Sequence, residues 1–203
     1  YLTRLPRSAC ANEIDAWITA ALTKPDLLTP IQMEAEDGTT GIFGHGYEFE
    51  RQVERQGRSF TERVVVYRSD AMASREIAQF DARIQAATDA YLALNPPVGR
   101  GRRQLTRDKA FTESLHRVNT QHRLAGLLWV KWRKEACPSR DDPDRQRWIV
   151  SEVVTRADLI DNHRQRLGWQ VLITSLPADS LSTPEVVRTY NAGWLIENQF
   201  RDI

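Results

Sequence analysis

From residue 77 to 91 the apolar side chains Ile77, Phe80, Ile84, Ala87 and Tyr91 recur at spacings of 3, 4, 3 and 4, a period that a strand cannot keep on one face. The pattern predicts an amphipathic helix of about six turns. Ser69-Asp70 supplies a start signal, and Asn95-Pro96-Pro97 closes it, because proline removes a donor and pushes the residue before it out of helical geometry. Thr106–Arg123 repeats the pattern with Phe111, Leu115, Val118 and His122, so helices 70–95 and 106–123 are expected to pack as an antiparallel pair.

Strand signals surround this helical region. Thr61–Tyr67 (TERVVVY) and Trp169–Ser175 (WQVLITS) are rich in β-branched residues, and Tyr47–Val53 alternates apolar with polar. The opening YLTRLP reads as a short strand turning at Pro6. Leu124–Lys134 and Arg147–Thr155 read as two more strands, joined by a polar loop whose Asp141, Asp142 and Asp144 suit a solvated turn. Helices are expected over residues 12–22, Ala157–Leu167 and from Pro184 onward, the last capped by Ser182 or Thr183. Pro25 and Pro30 read as breakers. Gly38, Gly41, Gly44 and Gly46 read as a turn-rich stretch with Gly44-His45-Gly46 at a hairpin tip. Together these elements predict a mixed α/β (α+β) chain.

Composition narrows the function classes. With 41% hydrophobic and 27% charged residues, the 203-residue chain can bury a core. A net charge of +1 argues against a uniformly polycationic nucleic-acid binder but leaves room for local basic patches. No stretch nears the ~20 apolar residues of a bilayer span, so no membrane partner is expected. Cys10 and Cys137 lack metal or disulfide-framework spacing, which points to a reducing cytoplasm. His45, His116, His122 and His163 are scattered. There is no Gly-rich phosphate loop, no Ser-His-Asp order and no Cys-His pairing.

The final segment, GWQVLITSLPADSLSTPEVVRTYNAGWLIENQFRDI, carries a more specific pattern. A strand ending in Thr-x-Leu-Pro leads to a capped helix on which Tyr190, Glu197 and Phe200 are spaced by seven and three, near one helical face. This resembles the end of the catalytic core in bacterial insertion-sequence DDE transposases, in the branch whose signature joins Tyr, Arg, Glu and Lys on one helix. VVVYRSDAMASRE followed by a long helix and NPPVGRGRRQ resembles the insertion these enzymes place between their second and third carboxylates.

The resemblance implies a partial ribonuclease-H-like core with a strand-and-helix insertion domain. Residues 1–8 would end the core strand after the second aspartate, 9–155 form the insertion, and 156–203 supply the last core strand and catalytic helix. It also implies that Glu197 is the third catalytic carboxylate and a ligand of two Mg2+ ions held about 3.5–4 Å apart for DNA cleavage and strand transfer. Tyr190 would position the DNA backbone, although it suits a half-buried core position equally well. Trp194 and Phe200 read as packing anchors.

Arg100, Arg102 and Arg103 form a compact basic loop that suits either phosphate contact or a solvated turn. The implied partners are transposon-end and target DNA and a second copy of the chain. The family's arginine after the tyrosine has no counterpart at Asn191, Ala192 or Gly193. Tyr1 in place of Met, and a signature lysine due one residue after Ile203, lead us to expect a piece of a longer protein. By itself it would be inactive, since both aspartates would precede Tyr1. The rival expectation is a non-catalytic DNA-binding or assembly module.

Overall fold

In the computed structural model of the chain, residues 1–34, 38–55, 57–99 and 102–201 are described, without the side chains of 7, 9, 55 and 193–201. Chain order runs β1 (Leu2–Arg4), α1 (Arg7–Thr23), a 3-10 turn (Pro25–Leu27), β2 (Thr29–Glu34), β3 (Thr40–Arg55) and β4 (Arg58–Ser69). It continues with α2 (Asp70–Leu92), α3 (Asp108–His122), β5 (Leu128–Ala136), β6 (Gln146–Thr155), α4 (Ala157–Gln165), β7 (Trp169–Thr174) and α5 (Thr183–Arg201). The chain is therefore mixed α/β, and it divides into two units, Tyr1–Glu76 with Arg166–Ile203, and Ile77–Gln165. Residues 9–155, expected as one insertion, are shared between them: β2, β3 and β4 lie in the same sheet as β1 and β7.

The first unit is a five-stranded sheet in the order β1-β7-β4-β3-β2, antiparallel at every pairing. Its centre follows from the runs VVV and VLI, which are buried on both faces as their composition predicts. Alternation then divides the side chains. Val64, Val66, Val171 and Ile173 pack with Ile14, Ile18 and Ala21 of α1, while Val65, Tyr67 and Leu172 pack with Val186 and Val187 of α5. The result is a three-layer helix–sheet–helix arrangement.

Two expectations in this unit are corrected. Pro30 does not break the chain but lies inside β2, opposite His45. β2 is an edge strand, so a missing N–H can be tolerated on its unpaired side. Gly44-His45-Gly46 is not a hairpin tip: these residues sit inside β3, between β2 and β4. A side chain at Gly44 would place Cβ 2.0 Å from the Arg68 carbonyl oxygen, and one at Gly46 would lie 2.6 Å from that of Val66. These glycines let the strands close together rather than turn. Regular helix in α1 is interrupted at Cys10 (φ −137°), so the expected start near Asn12 matches its unbroken portion.

In the second unit Tyr91 of α2, Phe111 and Val118 of α3 and Val150 of β6 form one core. The helices thus meet around a two-stranded β5–β6 hairpin, with Phe111 stacked on Trp148 at 5.6 Å and Trp132 edge-on to Trp148 at 4.7 Å. Asn95, at the end of α2, bonds both ways to Val150, donating to its carbonyl at 2.6 Å and accepting from its N–H at 2.8 Å. Arg147 holds the following loop through Pro96 O and Gln104 Oε1.

Gly44→Ala is expected to destabilise the protein by about 1–3 kcal/mol or more in urea unfolding, since backbone cannot yield as a flexible side chain can. Gly41→Ala, where a Cβ meets nothing within 4 Å, is expected to be near neutral. Equal midpoints for the two variants would refute the close-approach explanation.

Candidate functional site

Three devices position α5, the helix carrying Tyr190 and the Glu197 backbone. Ser182 occupies the cap, and its N–H and hydroxyl both donate to Glu185 Oε2, at 2.7 and 2.6 Å, the carboxylate half of a capping box. These two bonds hold the Glu185 carboxyl below its usual range. Thr183, the other candidate cap, instead donates its hydroxyl to Glu48.

The third device is Arg63 on β4, whose guanidinium is almost wholly buried. Its Nη1 donates to Leu181 O at 2.5 Å, its Nη2 to Thr183 Oγ1 at 3.2 Å and its Nε to Glu48 Oε2 at 2.9 Å. A buried cation is tolerated only where its donors are satisfied, and here Glu48 of β3 and the loop into α5 together satisfy them. The loop conformation is thereby tied to the central strand.

On the same face, Tyr67 and Gln170 stand opposite each other on β4 and β7, and the phenol donates to Gln170 Oε1 at 2.9 Å. The Gln170 amide donates in turn to Met72 Sδ. Burial pushes the Tyr67 phenol up to about 12, with Tyr190 adding to the rise. The Asn191 amide and Arg4 oppose the rise, and among the described residues Asn191 Nδ2 has no hydrogen-bond partner. Beside this pair lies a cavity of about 520 Å³ lined by Arg4, Ser69, Arg75, Gln170, Tyr190 and Asn191.

The sequence-predicted residues fall in different places. Tyr190 is half-buried, packs against the core that contains Tyr67 and Val187, and lines the cavity. Glu197 lies on α5, seven residues beyond it, but its side chain is outside the described residues, as are those of Trp194 and Phe200. Arg100 is likewise outside them, whereas Arg102 and Arg103 are exposed in the second unit, Arg102 N–H bonding the Gly99 carbonyl. Within the first unit, Tyr190 is grouped with Arg4 and Arg75. No family model, curated protein or solved structure matches the chain.

Among the described residues no three His, Cys, Asp or Glu side chains are placed to hold a metal ion, and none of their helices is long and apolar enough to cross a membrane. Sequence reading missed Arg4, Arg63 and Arg75. Arg63 carries a signal, a cation directly before Val64-Val65-Val66, which places it in a strand too apolar to leave it solvated. Arg4 and Arg75 carry none, since only folding brings them together.

Arg63→Met is expected to cost on the order of 3 kcal/mol and to speed amide exchange in the first turns of α5 ahead of β4. Unchanged exchange in α5 would show that Arg63 does not position it. A tyrosine whose folded pKa exceeds its unfolded value keeps its stabilisation below the unfolded value near 10, and loses it as pH rises toward about 12. Stability should therefore fall across pH 10–12, and Tyr67→Phe should flatten that part of the profile. An identical slope in both proteins would refute the assignment.

Proposed function

We propose that this chain supplies the third catalytic carboxylate, Glu197, of a DDE transposase that cuts and joins DNA ends by phosphoryl transfer. The observation that supports it best is the join of β7 to α5: a doubly buried strand, an Arg63-held loop and a capped helix bearing Tyr190 and Glu197 about two turns apart. A catalytic carboxylate needs such a mount, because a ligand set tolerates little drift. In this reading the sheet unit belongs to a ribonuclease-H-like core, and two aspartates from outside Tyr1–Ile203 complete the site. Glu197 and those aspartates would hold two Mg2+ ions, which would supply charge stabilisation for the attacking and leaving oxygens.

Within the chain, the proposal gives α5 the task of holding one carboxylate in place, and Tyr190 that of guiding the DNA backbone past it. The exposed Arg102 and Arg103, with Arg100, contact phosphate. The partners are transposon-end and target DNA, bound by paired copies of the enzyme, and the compartment is the cytoplasm, consistent with two free thiols.

A second reading, a non-catalytic DNA-binding or assembly module, draws on the β5–β6 hairpin. Trp129 and Trp132 are 62% and 52% exposed there, with Arg156 5.4 Å from the Trp129 ring. Exposed rings among cations suit stacking against bases.

The test is Mg2+-dependent strand transfer by the complete reading frame containing this chain, comparing wild type with Glu197→Ala. The variant is expected to lose at least a thousandfold in rate, on the order of 4 kcal/mol of barrier. Equal rates would sink the catalytic assignment. End binding without strand transfer by the wild type would favour the second reading.

A further inference from the structure

The cavity on the α5 face of the sheet is built from donors. Arg4 reaches it from β1 and Arg75 from the second turn of α2, and among the described residues neither guanidinium is ion-paired. The lining carboxylate, Glu76, already accepts the Gly168 N–H at 2.7 Å. Among the described residues, two cations against one carboxylate leave a net +1 in the lining, with Ala71 and Met72 adding the positive end of a 23-residue helix.

The neutral groups follow the same bias. Ser69 Oγ accepts the Met72 N–H at 3.4 Å, which leaves its hydroxyl proton free to donate. Gln170 adds at most one further donor, since its oxygen accepts from Tyr67 and one of its two amide N–H groups goes to Met72. The site therefore offers guanidinium and hydroxyl donors and few acceptors, the complement of an anion.

Size and wall chemistry narrow the anion further. A volume of about 520 Å³ is far larger than a lone inorganic ion needs and falls within the range of small-molecule sites. The Tyr190 ring, the Met72 thioether and Ala71 add apolar wall beside the cations, which a bare anion would not use.

We propose that this cavity binds a nucleotide through its phosphate, held by Arg4 and Arg75, with the sugar or base against Tyr190 and Met72. The nucleotide is either free or part of a DNA strand. The assignment goes beyond the catalytic reading: it needs no metal and no role for Glu197.

The test titrates the 203-residue chain in EDTA with two probes, a deoxynucleoside monophosphate and a short single-stranded oligonucleotide. The variants are Arg4→Met/Arg75→Met and, as a control of equal charge change per site, Arg58→Met on the distant end of β4. Arg4, Arg75 and Arg58 are all exposed, so melting temperature is expected to hold in each. Loss of roughly tenfold or more in affinity for at least one probe in the double variant, with Arg58→Met within about twofold of wild type, is the expected result.

Loss for both probes assigns the cavity to a free nucleotide or strand end. Loss for the oligonucleotide alone assigns it to strand-internal phosphate. The proposal is overturned if neither probe binds the wild type, or if the double variant binds both as wild type does. Metal-free conditions keep either outcome independent of the Glu197 assignment.

Discussion

Where β4 and β7 pair antiparallel, with Val66 opposite Val171 and Val65 opposite Leu172, each strand gives alternate side chains to two cores at once. Neither helix layer has an independent apolar partner of that extent. At roughly 1.5–3 kcal/mol for each fully buried aliphatic side chain, this small ladder carries much of the sheet unit's stabilisation. It also places the polar groups, since Arg63, Tyr67 and Gln170 occupy the positions of the same alternation that face α5.

What could be read from sequence was what periodicity encodes. The 3-and-4 spacing of Ile77 to Tyr91 gave α2, and the β-branched runs gave β4 and β7, because local repeats reflect which faces are buried. β2 and most of β3 escaped. Their glycines and Pro30 carry turn statistics, yet here they serve close strand approach and an unpaired edge, both decided by neighbours distant in sequence. The same limit hid the cavity: Arg4 and Arg75 lie 71 residues apart, on a strand and a helix that only the folded sheet unit brings to one place. Tyr190 was singled out from its spacing to Glu197, and the structure gives it a half-buried place packed against the Tyr67 and Val187 core on the cavity wall.

The α5 face thus combines a fixed helix mount with a donor-rich hollow beside it. Mount and hollow share Tyr190 but depend on different residues, Arg63 and Glu185 for the first, Arg4 and Arg75 for the second. That separation leaves each arginine a single task, since Arg63 gives its donors to the α5 loop and Glu48 while Arg4 and Arg75 line the hollow.

Glu62 and Arg63 are neighbours on β4 that face opposite sides of the sheet. Glu62 takes Arg51 at 2.8 Å and the Tyr1 hydroxyl at 2.6 Å on one side, and Arg63 takes Glu48 and the α5 loop on the other. A slip of β4 by one residue would turn the carboxylate toward carbonyl oxygens and the guanidinium toward the place Arg51 needs filled by an acid. Both would be buried against like polarity, a far heavier penalty than exchanging one valine for another. The adjacent charges therefore single out one strand alignment in a run of valines that by itself would accept either registration.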